Sequence, residues 1–183
     1  MKKVIMSIGA PGSGKTTLLE KFKEKLKFPD EYITVSPDEI RKEKFGDAPF
    51  DPAKNEEVWL SVNQKVQGAL ADGKSVIVDA TFANIRQRRE FISKVREFGA
   101  EKVQGIFLDV PLEVALDRNK QRGEAGGKFV DEKAVIGMTD ALDYNEPGLI
   151  DGFDSIFQVD SNHELIQVDM LEKDRKYITK EFK

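Results

Sequence analysis

Residues 4–17, Val4-Ile5-Met6-Ser7-Ile8-Gly9-Ala10-Pro11-Gly12-Ser13-Gly14-Lys15-Thr16-Thr17, run from an apolar segment through a GxxxxGK[ST] sequence into a charged amphipathic stretch. Strand, glycine-rich turn and helix in that order are the context in which this sequence binds phosphate. Glycines let successive backbone N–H groups curl around phosphate oxygens, and the helix N-terminus adds positive potential. Lys15 can then reach the β/γ phosphates, and Thr16 can ligate Mg²⁺. Gly12, Ser13, Gly14, Lys15, Thr16 and Thr17 are therefore expected to hold a nucleoside triphosphate.

The surrounding composition suits one domain with a continuous core: 183 residues, 39% hydrophobic and 34% charged. There is no cysteine, which excludes disulfides and thiolate metal sites, and the single His163 excludes histidine-rich ones. The formal charge of −4 argues against nonspecific coating of nucleic acid but leaves room for a local basic cleft. A strand beginning within four residues of Met1 leaves no room for a signal peptide, and no apolar run reaches membrane-spanning length. The expectation is a cytoplasmic protein without a membrane partner, and no protein partner can be identified.

Apolar runs at Val4 to Ile8, Tyr32 to Val35, Ser75 to Val78, Val103 to Leu108 and Ile156 to Val159 alternate with helical periodicity. Helices are predicted at Lys15 to Lys27, Asp38 to Phe45, Pro52 to Ala71, Ile85 to Phe98, Leu112 to Gln121 and Asp131 to Tyr144. This predicts an α/β fold around the phosphate loop, a three-layer sandwich with a central parallel sheet of about five strands and a helical lid, which the resemblance given below makes a P-loop kinase fold. Residues 1–160 would form the kinase domain, with a lid around 118–143 in which the glycines of Gly123-Glu124-Ala125-Gly126-Gly127-Lys128 permit movement. Residues 161–183 are expected to belong to the same domain, as a terminal helix or an added strand, or else to begin a neighbouring one.

Several charged residues fall where phosphate chemistry would need them. Asp79 ends an apolar strand at the sheet's carboxyl edge, where parallel sheets present ligands, and could hold Mg²⁺ or orient an arginine; otherwise it caps the next turn. Ser36-Pro37-Asp38-Glu39 starts a helix with Ser36 as N-cap and Glu39 closing a capping box. Asp38 is not needed for that cap and could accept the proton of an attacking hydroxyl, with Arg41 on the same face. The helix dipole alone also accounts for an acidic residue there. Arg118 and Arg122, four residues apart ahead of the glycine-rich stretch, could neutralise phosphates from a closing lid or pair with Glu113 and Asp117. Arg86, Arg88, Arg89 and Arg96 could line a groove for an acidic ligand, although spaced helix arginines are usually solvated. Phe45, Phe50, Trp59 and Phe82 could stack on a base or belong to the core, and His163 has no partner legible in sequence.

The loop at 9–17, Asp38-x-x-Arg41, Val76-Ile77-Val78-Asp79-Ala80-Thr81, Asp109-Val110-Pro111 and Arg118-Asn119-x-x-Arg122-Gly123 together resemble the kinase domain of bacteriophage polynucleotide 5′-kinases, a P-loop fold of the zeta-toxin/AAA_33 type. The resemblance spans about residues 2 to 160 and lies in the order and spacing of the motifs. It implies ATP and Mg²⁺ as cofactors and a 5′-OH DNA or RNA end as acceptor, in nucleic-acid repair. Lys15, Asp38, Arg41, Asp79 and Arg122 would be catalytic. Within these roles Asp38 would be the general base and Arg41 the contact to the acceptor's scissile-side phosphate. Thr16 and Asp79 would serve the metal, and Arg118 and Arg122 the lid over ATP. A phage-encoded protein would work in the host cytoplasm. Thr81-Phe82 departs from the family, which often has Asn two residues beyond the strand-end Asp.

The expected activity is transfer of the γ-phosphate of ATP to a 5′-hydroxyl. No DxDxT run is present, so no 3′-phosphatase activity is expected, and neither a KxDG ligase motif nor an HD-type site occurs. A small-molecule kinase acting on a nucleoside, sugar nucleotide or antibiotic would share the loop, base and lid. A non-catalytic ATP-binding module is a second alternative. A GTPase is not expected, because Asn119-Lys120-Gln121-Arg122 has Arg where a guanine motif needs Asp.

Overall fold

The computed structural model describes residues 1–26, 31–46, 48 and 50–172. Its sheet is built from β1 (Lys3–Ile8), β2 (Tyr32–Val35), β3 (Ser75–Asp79), β4 (Lys102–Leu108), β5 (Ser155–Val159) and β6 (Leu165–Met170), in the spatial order β2-β3-β1-β4-β5-β6. The first five strands pair in parallel, and β6 adds antiparallel to β5. Helices α1 (Lys15–Glu24), α2 (Pro37–Phe45), α3 (Asn55–Ala71), α4 (Ile85–Glu97), α5 (Leu112–Glu124) and α6 (Glu132–Tyr144) cover it.

Both faces of the sheet are buried, which is why the inner strands read as unbroken apolar runs. On one face Val4, Met6, Val76, Val78, Val103 and Phe107 pack against Val58, Val62 and Val66 of α3 and Phe91, Ile92 and Val95 of α4. On the other, Ile5, Ile77, Ile106 and Leu108 meet Leu19 of α1, Ala115 of α5 and Val135 of α6. The period-two alternation along β1 therefore divides one strand between two cores. Among the described residues no helix is long and apolar enough to cross a membrane.

The expected parallel strands are present, and the sixth strand occupies part of the segment that sequence left open. Residues 173–183 of that tail, and Lys27 at the expected end of α1, lie outside the described residues. Helix α3 starts later than expected because Pro52–Lys54 forms a separate 3₁₀ turn, capped by the Asp51 side chain accepting from Ala53 N at 2.9 Å. Helix α5 runs past Gln121 to Glu124, because Gly123 is tolerated where a Cβ would crowd the Phe129 side chain at 3.0 Å.

The turn after β3 is held by a buried ion pair. Arg88 is fully buried; its Nε donates to Asp151 Oδ2 at 2.7 Å, and its terminal nitrogens donate to the carbonyls of Phe82, Ala83 and Asn145. Phe82 has a positive φ of 46°, an unfavourable conformation for an aromatic residue, and packs its ring against Trp59 and Phe91. One guanidinium thus fixes a strained turn to the C-terminal end of α6. Removing one partner of such a pair strands the other charge and several carbonyls, so Arg88→Met is expected to cost about 3–5 kcal/mol in urea unfolding. Arg88→Met with Asp151→Leu should cost less than Arg88→Met alone; a loss below about 1 kcal/mol for the single change contradicts this reading.

Candidate active site

The phosphate loop begins where β1 ends. Gly12 and Gly14 adopt φ of 85° and 97°, which side-chain-bearing residues rarely take. At Gly12 space is also lacking, since a Cβ would lie 2.1 Å from the Ala115 carbonyl oxygen of α5. Gly14 forms the N-cap of α1 without a side-chain hydrogen bond, leaving that helix terminus to face the loop. Lys15 is folded onto the loop itself, donating to the Gly9 and Ala10 carbonyls at 2.7 and 2.9 Å. Burial lowers its pKa to about 8, opposed by the attraction of Asp79 and Asp38 and assisted by the repulsion of Arg122 and Lys128. Both carboxylates and both cations are therefore near enough to act on one ammonium.

Asp79 closes the loop from the adjacent strand. Its Oδ2 accepts from the Thr16 hydroxyl at 3.1 Å, and its Oδ1 accepts from the buried Ser7 hydroxyl at 3.1 Å. A hydroxyl and a carboxylate meeting at a phosphate loop form a hard-oxygen donor set that fits Mg²⁺. Among the described residues no three His, Cys, Asp or Glu side chains cluster as metal ligands.

Across the cleft, Ser36 caps α2 by accepting from Glu39 N at 3.5 Å, with Pro37 in the first turn. Asp38 is thereby left free of the cap. Its Oδ1 accepts from Arg41 at 2.7 Å and its Oδ2 from Lys128 at 2.7 Å. Partial burial raises its pKa, but Lys128, Arg41 and Lys15 together outweigh that and hold the carboxyl below its usual value. Arg41 is anchored by Asn55 Oδ1 at 3.2 Å and stacks on Phe50 at 5.1 Å.

Of the α5 arginines, Arg118 reaches the loop and Arg122 is held within its own helix. Arg118 donates to the Ser13 carbonyl at 3.3 Å and to Ser161 O at 2.9 Å, while Arg122 donates to Asn119 Oδ1 at 3.0 Å. Buried Asn119 also clamps Val130 in both directions, accepting from its N–H at 3.1 Å and donating to its carbonyl at 2.7 Å. The intervening glycines terminate a helix: Gly126 takes a φ of 79°, Gly126 N donates to Gly123 O at 3.0 Å, and Gly127 N donates to Arg122 O at 2.9 Å. This is a Schellman cap, in which the glycines close α5.

Three contributions were not legible from sequence. Lys128 meets Asp38, Asn119 clamps the segment after α5, and His163 reaches the loop from the β5–β6 turn. A Cβ at Gly14 would lie 2.9 Å from His163 Nε2. Burial, with repulsion from Lys21 and Arg118, lowers the His163 pKa. The arginines of α4 lie elsewhere: Arg88 is in the buried pair, Arg96 joins Asp154 at 2.6 Å, and exposed Arg86 pairs with Glu90 at 2.8 Å. Arg89 approaches Asp151 at 3.6 Å. Trp59 and Phe82 pack within the core's aromatic cluster, Phe45 packs against the same core with Lys54 over its ring at 4.6 Å, and Phe50, 63% exposed, lies beneath Arg41.

The sheet order, the glycine loop and the Thr16–Asp79 pair define a P-loop nucleotide-binding domain of the kinase fold. Residues 4–144 match the AAA_33 family, described as an AAA domain, and the chain belongs to that family. Over 121 residues it is 26% identical to a protein of Acanthamoeba polyphaga mimivirus named as a bifunctional polynucleotide phosphatase/kinase, covering 66% of this chain and 24% of that protein. A chain in the structure of the Pnkp1/Rnl/Hen1 RNA repair complex is 27% identical, with a TM-score of 0.70 over 93% of this chain and 50% of that one. The chain thus spans half or less of these two relatives. A sugar kinase from Janibacter sp. HTCC2649 shares the fold at 19% identity, with a TM-score of 0.63 and coverage of 90% of this chain and 88% of that one.

The lowered Lys15 pKa has a measurable consequence. A bound triphosphate favours the charged ammonium and raises its pKa, so binding near pH 8 should take up about half a proton, and affinity should fall as pH rises further. Calorimetry in buffers of different ionisation enthalpy measures this uptake. No uptake in the wild type would contradict the assignment, and Lys15→Arg should abolish it.

Proposed function

We propose that this chain is an ATP-dependent polynucleotide kinase that transfers the γ-phosphate to a 5′-hydroxyl end of DNA or RNA. The observation that carries this reading is Asp38, an ionised carboxylate held by Arg41 and Lys128 and attracted, like Asp79, to the Lys15 ammonium of the phosphate loop. The relatives named as polynucleotide kinases support the choice of acceptor.

In the proposed reaction Asp38 accepts the proton of the attacking hydroxyl as its oxygen forms a bond to the γ-phosphorus. The bond from that phosphorus to the β,γ-bridging oxygen breaks, and ADP leaves. Lys15 moves from the Gly9 and Ala10 carbonyls to the β/γ phosphates, while the loop N–H groups hold their oxygens. Mg²⁺, held through Thr16 and Asp79, would offset charge on the phosphates. Arg122, next to Lys15 in charge and restrained by Asn119, stabilises the transferring group, and Arg118 bridges loop and hairpin on the nucleotide side. Arg41, braced by Asn55 and Phe50, holds Asp38 and the acceptor side.

A small-molecule acceptor is the second reading, favoured by the formal charge of −4. Incubation with γ-labelled ATP, Mg²⁺ and a panel of 5′-OH DNA, 5′-OH RNA, 3′-phosphonucleosides and free nucleosides separates the two. Label is expected at oligonucleotide 5′ ends; label on a nucleoside with none on any oligonucleotide would overturn the polynucleotide reading. Asp38→Asn should lower kcat by about 10²–10⁴-fold while ATP binding persists. Undiminished turnover would remove the base role.

A further inference from the structure

Lys128 comes from the segment after α5 and reaches Asp38, its ammonium 2.7 Å from Oδ2 while Arg41 holds Oδ1 from α2 at 2.7 Å. The backbone that launches it is fixed. Gly126 and Gly127 form the Schellman cap, and the Asn119 clamp secures Val130 two residues further on. A Cβ at Gly127 would lie 3.0 Å from the Arg122 carbonyl oxygen, so this close turn requires glycine. The ammonium itself is less firmly held, since its ion pair joins side chains that are 53% and 58% exposed. Exposed pairs of this kind exchange readily for a stronger anionic partner.

An attacking hydroxyl that hands its proton to Asp38 must approach the carboxylate that Lys128 now contacts. Any anionic group next to that hydroxyl then comes within reach of the same ammonium. Lys128 is paired with Asp38 while the Lys15 ammonium lies on the loop carbonyls of Gly9 and Ala10, which sets Lys128 on the side of the site where the hydroxyl must enter. We infer that Lys128 is an acceptor-binding residue, passing from Asp38 to the phosphate that adjoins the attacking hydroxyl as the acceptor enters. This assignment rests on the polynucleotide reading above. It gives Asp38 a free oxygen at the moment a proton must be taken, and it favours acceptors with a charged first linkage.

A double-perturbation cycle tests it. Wild type, Lys128→Met and Lys128→Arg are assayed with 5′-OH oligonucleotides whose first internucleotide linkage is either an ordinary phosphodiester or an uncharged methylphosphonate. Lys128→Met should lower kcat/KM for the ordinary oligonucleotide about tenfold, leave the KM for ATP within about twofold, and add little once the linkage is uncharged. Lys128→Arg should retain most of the preference for the charged linkage, and it carries the cycle if the Met variant is too slow to measure. Fully additive effects in an active enzyme, or a rise in the KM for ATP in place of the acceptor effect, would overturn the role of Lys128 alone. Failure of the wild type to label any oligonucleotide would overturn both this assignment and the activity on which it rests.

Discussion

Everything at the cleft depends on the parallel pairing of β1 with β3, which sets Ser7 beside Asp79. That register brings the loop following Ile8 and the carboxylate ending β3 to the same edge of the sheet. The Ser7 and Thr16 hydroxyls can then share Asp79 at 3.1 Å each. A shift of one residue would turn Asp79 to the opposite face and separate it from Thr16. Apolar packing on both faces makes such a slip costly, because it would exchange Val76 and Val78 in one core for Ile77 in the other. The strength of the hydrophobic layers is thereby converted into positional accuracy for a phosphate site.

Around that fixed edge the charges fall into two groups. Lys15, Thr16, Asp79 and the α5 arginines lie on the side of the phosphate loop, while Asp38, Arg41, Phe50 and Lys128 lie across the cleft. The half-buried Lys15 ammonium is attracted by carboxylates of both groups, which links them electrically. Its depressed pKa follows from being removed from water before phosphate arrives. The site therefore holds its lysine on the Gly9 and Ala10 carbonyls, contacts that a phosphate can replace.

Sequence made the local features legible and left the long-range ones hidden. Gly9–Thr16 and the strand-end position of Asp79 could be read because the information lies within one strand and one turn. Asp38 was legible as a carboxylate surplus to the Ser36 cap. Lys128, 90 positions from Asp38, and His163, far from Gly14, gave no such signal, since folding alone brings each pair together. Asn119 stands in the Arg118-Asn119-x-x-Arg122 run with no role legible there, yet its buried amide closes the segment that carries Lys128. Arg88 was indistinguishable from its exposed neighbours on α4 until Asp151 was placed opposite it. The glycines at 126 and 127 were legible as a break in the helical pattern, and their hydrogen bonds form a helix cap.

The central claim is that one cleft presents a nucleotide's terminal phosphate to Asp38. A crystal structure with Mg²⁺ and a non-hydrolysable ATP analogue tests it most directly. The expected result is a triphosphate within residues 9–16, Lys15 Nζ moved from the Gly9 and Ala10 carbonyls onto its oxygens, and the γ-phosphate directed across the cleft toward Asp38. A γ-phosphate pointing away from Asp38, or a lysine still bound to the loop carbonyls beneath a bound nucleotide, would contradict the account.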